Sequence, residues 1–307
     1  MIGPGVALVV AVATAAALDT AIGEPPAGTH PVAVLGRAIE WVEPRRFGLP
    51  RFVGAVYAVA IPIGYAFLAY GVVWTVARTP IPLAAPIAAG LVLWVSSSLR
   101  LLLESGRRVI EESGTDVDAA RESLLALAGR DASTLSPGLL RSAAVESLAE
   151  NFSDGLVAPL SAFVALSMVS IPAAAAGAAF VKAVNTMDSM LGYPGPFGWG
   201  SARLDDLVMF VPARLSALCL GLGAGDPDAP YRARRYAHKP ASPNAGWPMG
   251  TLAAALNVRL EKPGAYVLND VADYPTVANG HDAVGAVRRA AFVAAVTAAL
   301  VGVIRWL

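Results

Sequence analysis

The run from Phe52 to Ala77, 26 residues without a charge, constrains this chain more than any other feature. Crossing roughly 30 Å of hydrocarbon takes about 20 apolar residues, so a run of this length is read as a membrane span. Four more apolar runs follow: Ile81–Leu99 after the polar tip Arg78-Thr79-Pro80, Leu156–Val181 broken by Pro172, Asp206–Ala224 carrying Arg214, and Ala290–Ile304. Val6–Leu18 precedes them all. Its alanine-rich end resembles a signal-peptide core, but no Lys or Arg stands ahead of it, so it is read as an uncleaved first span or half-span. Composition agrees, with 15% charged residues against about 25% in soluble domains. The expected fold class is all-α: a polytopic helical bundle of five or six membrane helices with helical hairpins outside the bilayer. It is taken as a single membrane-embedded domain, 1–307.

Polar segments 19–51, 100–154, 185–205 and 225–289 separate the spans. The first, second and fourth hold 18 of the 23 Lys and Arg, which places them on the cytoplasmic side of the cell membrane. Six simple spans leave the third segment on the far side, and a re-entrant pair broken at Pro172 would return it. Equal numbers of basic and acidic residues, 23 each, argue against a nucleic-acid binder. The single cysteine, Cys219, excludes an internal disulfide and a cysteine-only metal site.

Ser136-Pro137 opens a helix, a capping hydroxyl followed by proline in the first turn. That helix is expected to end near Asn151. Glu146 and Glu150 lie four apart on one face, with Asp154 just beyond, and like charges so spaced repel unless a cation sits between them. The cluster reads either as a solvated face or as carboxylates holding magnesium together with substrate phosphates. Lys182, Asn185 and Asp188 follow an apolar run at a spacing of three. Ionisable groups at that depth need partners or a wet cavity, and lysine snorkelling explains Lys182 but not Asp188. Arg203, Asp205 and Asp206 read as a metal-phosphate site or a helix cap. Arg214, inside an apolar run, needs an anionic partner, for which Asp188 or a substrate phosphate is expected. Asp19, Glu24 and His30 share a turn-rich stretch, and Ser242, Asn244 and Trp247 another that is either a grip for a large ligand or an ordinary loop.

These motifs, taken in order, resemble the CobD/CbiB family, the adenosylcobinamide-phosphate synthases of cobalamin biosynthesis. The resemblance rests on Asp19-x-x-x-Gly-Glu-Pro, His30-Pro-Val, Arg141-x-Ala-Val-Glu-Ser-x-Ala-Glu-Asn-Phe-Ser-Asp154-Gly and Lys182-Ala-Val-Asn-Thr-Met-Asp188. It continues through Phe197-Gly-Trp-x-Ser-Ala-Arg203-Leu-Asp-Asp206, Pro212-Ala-Arg214 and Ser242-Pro-Asn-x-Gly-Trp247-Pro. Between Tyr193 and Phe197 the chain is shorter than the charged stretch associated with the family. The resemblance implies an enzyme that uses ATP and Mg2+ to join adenosylcobyric acid to (R)-1-aminopropan-2-ol or its O-phosphate. Under it, Glu146, Glu150, Asn151, Asp154, Asp205 and Asp206 contact magnesium-ATP, with Glu146, Glu150 and Asp154 on the metal. Lys182, Asn185, Arg203 and Arg214 join the catalytic set, His30 or Asp188 serves as the base, and Asp19, Glu24, Ser242, Asn244 and Trp247 contact substrate. Other late cobalamin-pathway membrane enzymes or a second copy are its expected protein partners. Two other classes stay open: a magnesium-dependent membrane transferase acting on lipid-like phosphates, and a non-catalytic membrane accessory protein.

Overall fold

The computed structural model describes residues 3–26, 28–42, 49–129, 131–192 and 195–304, so Tyr193 and Pro194 lie outside the described residues. The first helices are α1 (Pro4–Ala21), α2 (Pro31–Val42), α3 (Arg51–Val76), α4 (Ala84–Ser96), α5 (Arg100–Glu112), α6 (Val117–Ala128) and α7 (Pro137–Phe152). A π-helical turn at Ser153–Val157 leads into α8 (Ala158–Ser167), followed by α9 (Ile171–Leu191), α10 (Trp199–Val208) and α11 (Phe210–Ala224). Two shorter helices, α12 (Ala229–Ala233) and α13 (Gly246–Ala255), precede an antiparallel pair, β1 (Leu260–Lys262) and β2 (Tyr266–Leu268). In that pair Leu260 stands opposite Leu268, and α14 (Val277–Ile304) closes the described chain.

Local chemistry accounts for the helix ends. Asp116 accepts from the backbone N–H groups of Asp118 and Ala119 at the start of α6, and Gly129 ends that helix at φ +62°. The Ser136 hydroxyl accepts from Leu139 N at 3.4 Å ahead of Pro137, as the sequence predicts for α7.

Among the described residues, four helical stretches are long and apolar enough to cross a membrane: Pro4–Ala21, Arg51–Val76, Ala84–Glu112 and Val277–Ile304. Helices α10 and α11, interrupted at Met209, make a fifth if counted as one. Phe67 and Leu68 on α3 are each 70% exposed, a surface that suits lipid and not water. The chain is therefore an all-α polytopic membrane protein, as expected, with four or five candidate spans and not six.

The run Leu156–Val181 accounts for part of the difference. It is not one span but two helices that double back at Met168–Ser170. A methyl group on Gly177 of α9 would lie 3.0 Å from the Ala162 carbonyl oxygen of α8, so the two helices lie side by side. Ser170 caps α9, its hydroxyl accepting from Ala173 N at 3.2 Å. Ten residues of α8 reach only about 15 Å, too short to cross. Helix α7 ends at Phe152, next to the expected Asn151, but helical backbone does not stop there. It continues by way of the π turn into α8, so Asp154 lies within helical backbone and not beyond it.

The chain divides into two compact units, which refines the single domain expected from sequence. The first comprises residues 1–98, 154–209 and 295–307. Within it α9 is central, packing against α2, α3, α4, α8 and α10. The second comprises residues 99–153 and 210–294. Within it α5, α6 and α7 pack together, α13 packs on α7, α11 and α12, and β1 lies on α7.

Close approach of α3 and α10 in the first unit depends on two glycines. A methyl group on Gly54 would lie 2.0 Å from the Phe197 carbonyl oxygen, and one on Gly200 would lie 2.6 Å from the Ala55 Cα. Backbone cannot turn aside as a flexible side chain can. Gly54→Ala is therefore expected to cost about 2 kcal/mol or more, read as a lowered unfolding midpoint in detergent. Gly64→Ala, on the same helix with open space where its methyl would go, should be neutral or slightly stabilising. Equal midpoints for the two variants would contradict the packing described.

Candidate active site

The first unit gathers five of the residues that the sequence singles out. Two come from the loop after α1. Gly23 turns the chain at φ +78°, and its carbonyl accepts from the Trp94 indole N–H at 2.8 Å, which ties the loop to α4. This fixes Glu24 and leads to His30, which starts α2. The His30 carbonyl accepts from Ala33 and Val34 N, and its Nδ1 accepts from Val32 N at 3.1 Å. His30 is thus the N-cap of α2, with Pro31 in the first turn. With Nδ1 accepting, the neutral ring carries its proton on Nε2.

Helix α9 brings Lys182, whose ammonium has the carboxylates of Glu24 and Asp154 as its electrostatic partners. Lys182 also acts on His30, as does Glu24. Asp154 comes from the π turn, and the Asn185 amide, one turn beyond Lys182, donates to its Oδ2 at 3.4 Å. A π turn releases a carbonyl from the regular ladder, and here Gly155 O accepts from Ser98 N at 3.0 Å. Glu24, His30, Asp154, Lys182 and Asn185 are all half-buried, with Lys182 within electrostatic reach of the Glu24 and Asp154 carboxylates and Asn185 hydrogen-bonded to Asp154. Burial holds the His30 imidazole below its ordinary range; Glu24 opposes the shift, and Lys182 adds to it.

Further along α9 lies a second acidic pair. The half-buried Asp188 has Asp206 of α10 as a carboxylate neighbour, and Asp206 is ion-paired to Arg203 at 2.8 Å. Asp205 is half-buried beside them on α10, and Asp19 is buried in the last turn of α1.

The other predicted residues belong to the second unit. Glu146 is buried, and both of its oxygens accept hydrogen bonds: Oε1 from the Ser142 hydroxyl at 2.9 Å and Oε2 from the Tyr266 hydroxyl at 2.9 Å. Ser142 also accepts from Glu261 N at 2.7 Å, while Glu261 itself accepts from the Tyr274 hydroxyl and Arg259 at 2.5 Å. Glu150 is half-buried one turn on, and the exposed Asn151 amide folds back onto the Ser147 carbonyl at 3.0 Å. Among the described residues, no three His, Cys, Asp or Glu side chains form a ready metal cage.

Among the described residues, Arg214 is ion-paired to no carboxylate, Asp188 included. Its guanidinium donates to the Phe210 carbonyl at 2.8 Å and to Asn244 Oδ1 at 2.5 Å, with the Phe210 and Trp247 rings 3.8 and 5.1 Å away. Ser242 accepts from Asn244 N at 3.2 Å. The Ser242–Trp247 motif is thus folded around Arg214, and neutral carbonyls with aromatic faces satisfy the cation.

Sequence reading missed Ser142, Tyr266 and Trp94 as supports of this chemistry. Tyr266 lies 120 residues from Glu146, and nothing in its local sequence marks the contact.

Comparison with known proteins extends these observations across the chain. The family described as CobD/Cbib protein matches residues 12–295. A "Probable cobalamin biosynthesis protein CobD" of Methanothrix thermoacetophila is 35% identical over 92% of this chain and 93% of its own length. A protein of the same description from Methanothermobacter thermautotrophicus is 34% identical, over 83% of this chain and 85% of its own. The "Cobalamin biosynthesis protein CobD" of Mycobacterium tuberculosis is 37% identical, over 86% and 83%. No solved structure matches.

Proposed function

The chain belongs to the CobD/CbiB family, and from that premise we propose that it is the enzyme of cobalamin biosynthesis that joins adenosylcobyric acid to (R)-1-aminopropan-2-ol or its O-phosphate at the expense of ATP. The observation that supports this reading is the half-buried set of Lys182, Glu24, His30, Asp154 and Asn185, in which Lys182 interacts electrostatically with both carboxylates and Asn185 donates to Asp154. A carboxylate does not acylate an amine unaided. Transfer of the terminal phosphoryl group of ATP to the substrate carboxylate makes an acyl phosphate, which the amine attacks to release phosphate. Lys182 suits the phosphoryl oxygens, because a cation positioned where negative charge accumulates acts without reorganisation.

Magnesium needs no protein cage for this chemistry. It is commonly held by one or two carboxylates and substrate phosphates, and Asp154 with Glu24 offers such a set beside Lys182. When bound, the ion supplies charge neutralisation for the phosphates. Glu146, with both oxygens accepting hydroxyl protons, is assigned to holding α7 and the hairpin in place and not to the metal. The amine must lose a proton to attack. Asp188 is assigned that proton, because the Nδ1 of His30 already accepts from Val32.

His30 then serves as a cap and as a donor through Nε2. Its capping contribution is full above the ordinary imidazole value of 6.5 and is lost as pH falls through the lower folded value, because a protonated Nδ1 cannot accept from Val32. His30→Ala should lose about 1 kcal/mol of stability, whereas His30→Asn keeps a capping oxygen and most of that stability. Turnover should fall in both variants. Wild-type turnover in His30→Asn would reduce the residue to a cap.

The reading is tested by incubating purified protein with adenosylcobyric acid, the amine or its phosphate, and Mg-ATP. A condensed corrinoid should form and should disappear when ATP is omitted. A corrinoid left unchanged under all conditions, with the protein folded, would overturn it.

A further inference from the structure

We propose that the second unit carries a binding site for a phosphate-bearing anion, separate from the residues assigned above, between α5 and α14. A cavity of about 440 Å³ there is lined by Leu103, Glu104, Arg107, Arg108 and Glu111 of α5 and Arg288 of α14.

The folding of α5 explains why charges collect on that side. Leu102, Leu103, Gly106, Val109 and Ile110 are buried along one face, so the residues between them project from the other. Ile110 packs where a methyl group on Gly280 of α14 would lie, 2.5 Å from the Ile110 Cγ2, which brings the two helices close. Arg288, two turns along α14, reaches the same cavity. The acidic residues of the lining are already engaged: Glu104 pairs with Arg100 at 2.8 Å and Glu111 with Arg107 at 3.3 Å. Among the described residues, Arg108 and Arg288 have no such carboxylate. The cavity walls thus carry three arginines against two glutamates, and Arg108 and Arg288 are the two that no carboxylate among the described residues holds.

Guanidinium forks match the paired oxygens of a phosphate or a carboxylate, so a cavity with two of them selects an anionic group over a neutral ligand. Position suggests where such a phosphate resides. Arg288 immediately precedes the apolar stretch of Val277–Ile304, and Arg107 and Arg108 follow the apolar part of Ala84–Glu112, both candidate spans. Basic side chains at the ends of spans lie at headgroup level, where phospholipid phosphates are concentrated. A soluble phosphate ester carries the same recognisable group, and the test separates the two sources.

The full chain is purified in a neutral detergent and titrated with phosphatidylglycerol, with phosphatidylcholine and with inorganic pyrophosphate, following the thermal midpoint and lipid retention by native mass spectrometry. Wild type should be stabilised by phosphatidylglycerol more than by phosphatidylcholine if the source is lipid, or by pyrophosphate if it is soluble. In Arg108→Gln/Arg288→Gln the responsive ligand should bind about 30-fold more weakly. Arg108→Lys/Arg288→Lys, which keeps the charges, should recover part of the loss and guards against a folding defect in the glutamine variant. A wild type that responds to none of the phosphates, or a glutamine variant that binds them as well as wild type, overturns the proposal.

Discussion

Lys182→Met should reduce corrinoid product formation by at least about 10²- to 10³-fold, the range seen when a positioned stabiliser of developing charge is removed. Lys182 interacts electrostatically with the carboxylates of Glu24 and Asp154. Without it, the phosphoryl oxygens lose a fixed positive charge beside Glu24 and Asp154, and anionic substrate is held less well. Methionine matches the length and apolar stem of lysine, so packing of α9 against α3 and α8 should survive. Lys182→Arg keeps the charge but replaces a compact ammonium with a planar fork, and should retain part of the activity. The measurement is single-turnover conversion by folded, membrane-inserted protein. Turnover within a few-fold of wild type in Lys182→Met would remove this group from the chemistry and return Lys182 to a snorkelling role.

The second large effect concerns stability. Glu146→Ala should cost about 3 kcal/mol, because the buried Ser142 hydroxyl and the half-buried Tyr266 hydroxyl both lose a charged acceptor. Tyr266→Phe removes one of those bonds and should cost about 1.5 kcal/mol. Since both changes act on one contact, the double variant should be less destabilised than the sum, with a coupling of about 1 to 2 kcal/mol. Glu146→Gln keeps an acceptor and should be milder than Glu146→Ala. Unfolding measured in mixed detergent supplies these values. Strict additivity would mean that Tyr266 does not hold Glu146. A Glu146→Ala protein of wild-type stability without activity would move Glu146 back among the ligand-binding carboxylates.

Features that depend on local chemistry were legible in the sequence. The 26-residue run at Phe52–Ala77 became α3, and the cap at Ser136 stands where the hydroxyl ahead of Pro137 requires. The grouping of Lys182 with Asn185 was also legible, because helical spacing alone puts them on neighbouring turns. Features set by distant partners were not. Hydropathy cannot distinguish one span from two helices folded together, so Leu156–Val181 could be either a span or a pair broken at Pro172, and Gly177 against Ala162 shows the pair, with its break at Met168–Ser170. Periodicity correctly placed Glu146 and Glu150 four apart on α7. Only the return of the chain at Tyr266 shows that Glu146 is committed to a hydroxyl network. Arg214 differs in part: its place in an apolar run called for an anion, and here Asn244 and Trp247 of the folded motif, with Phe210 one turn back on α11, supply its contacts. The π turn has no local signal either, and it is what sets Asp154 beside Asn185.

The central claim, amide formation through ATP activation of a carboxylate, is tested most directly by following oxygen. Adenosylcobyric acid labelled with 18O in the reacting carboxylate is incubated with the protein, the amine, and unlabelled Mg-ATP. Phosphoryl transfer to that carboxylate, followed by attack of the amine on the carbonyl carbon, leaves one labelled oxygen on the released phosphate and one in the new amide. Mass spectrometry should therefore find one 18O per phosphate, in step with corrinoid product. Product accompanied by wholly unlabelled phosphate, or formed equally well without ATP, would contradict the account.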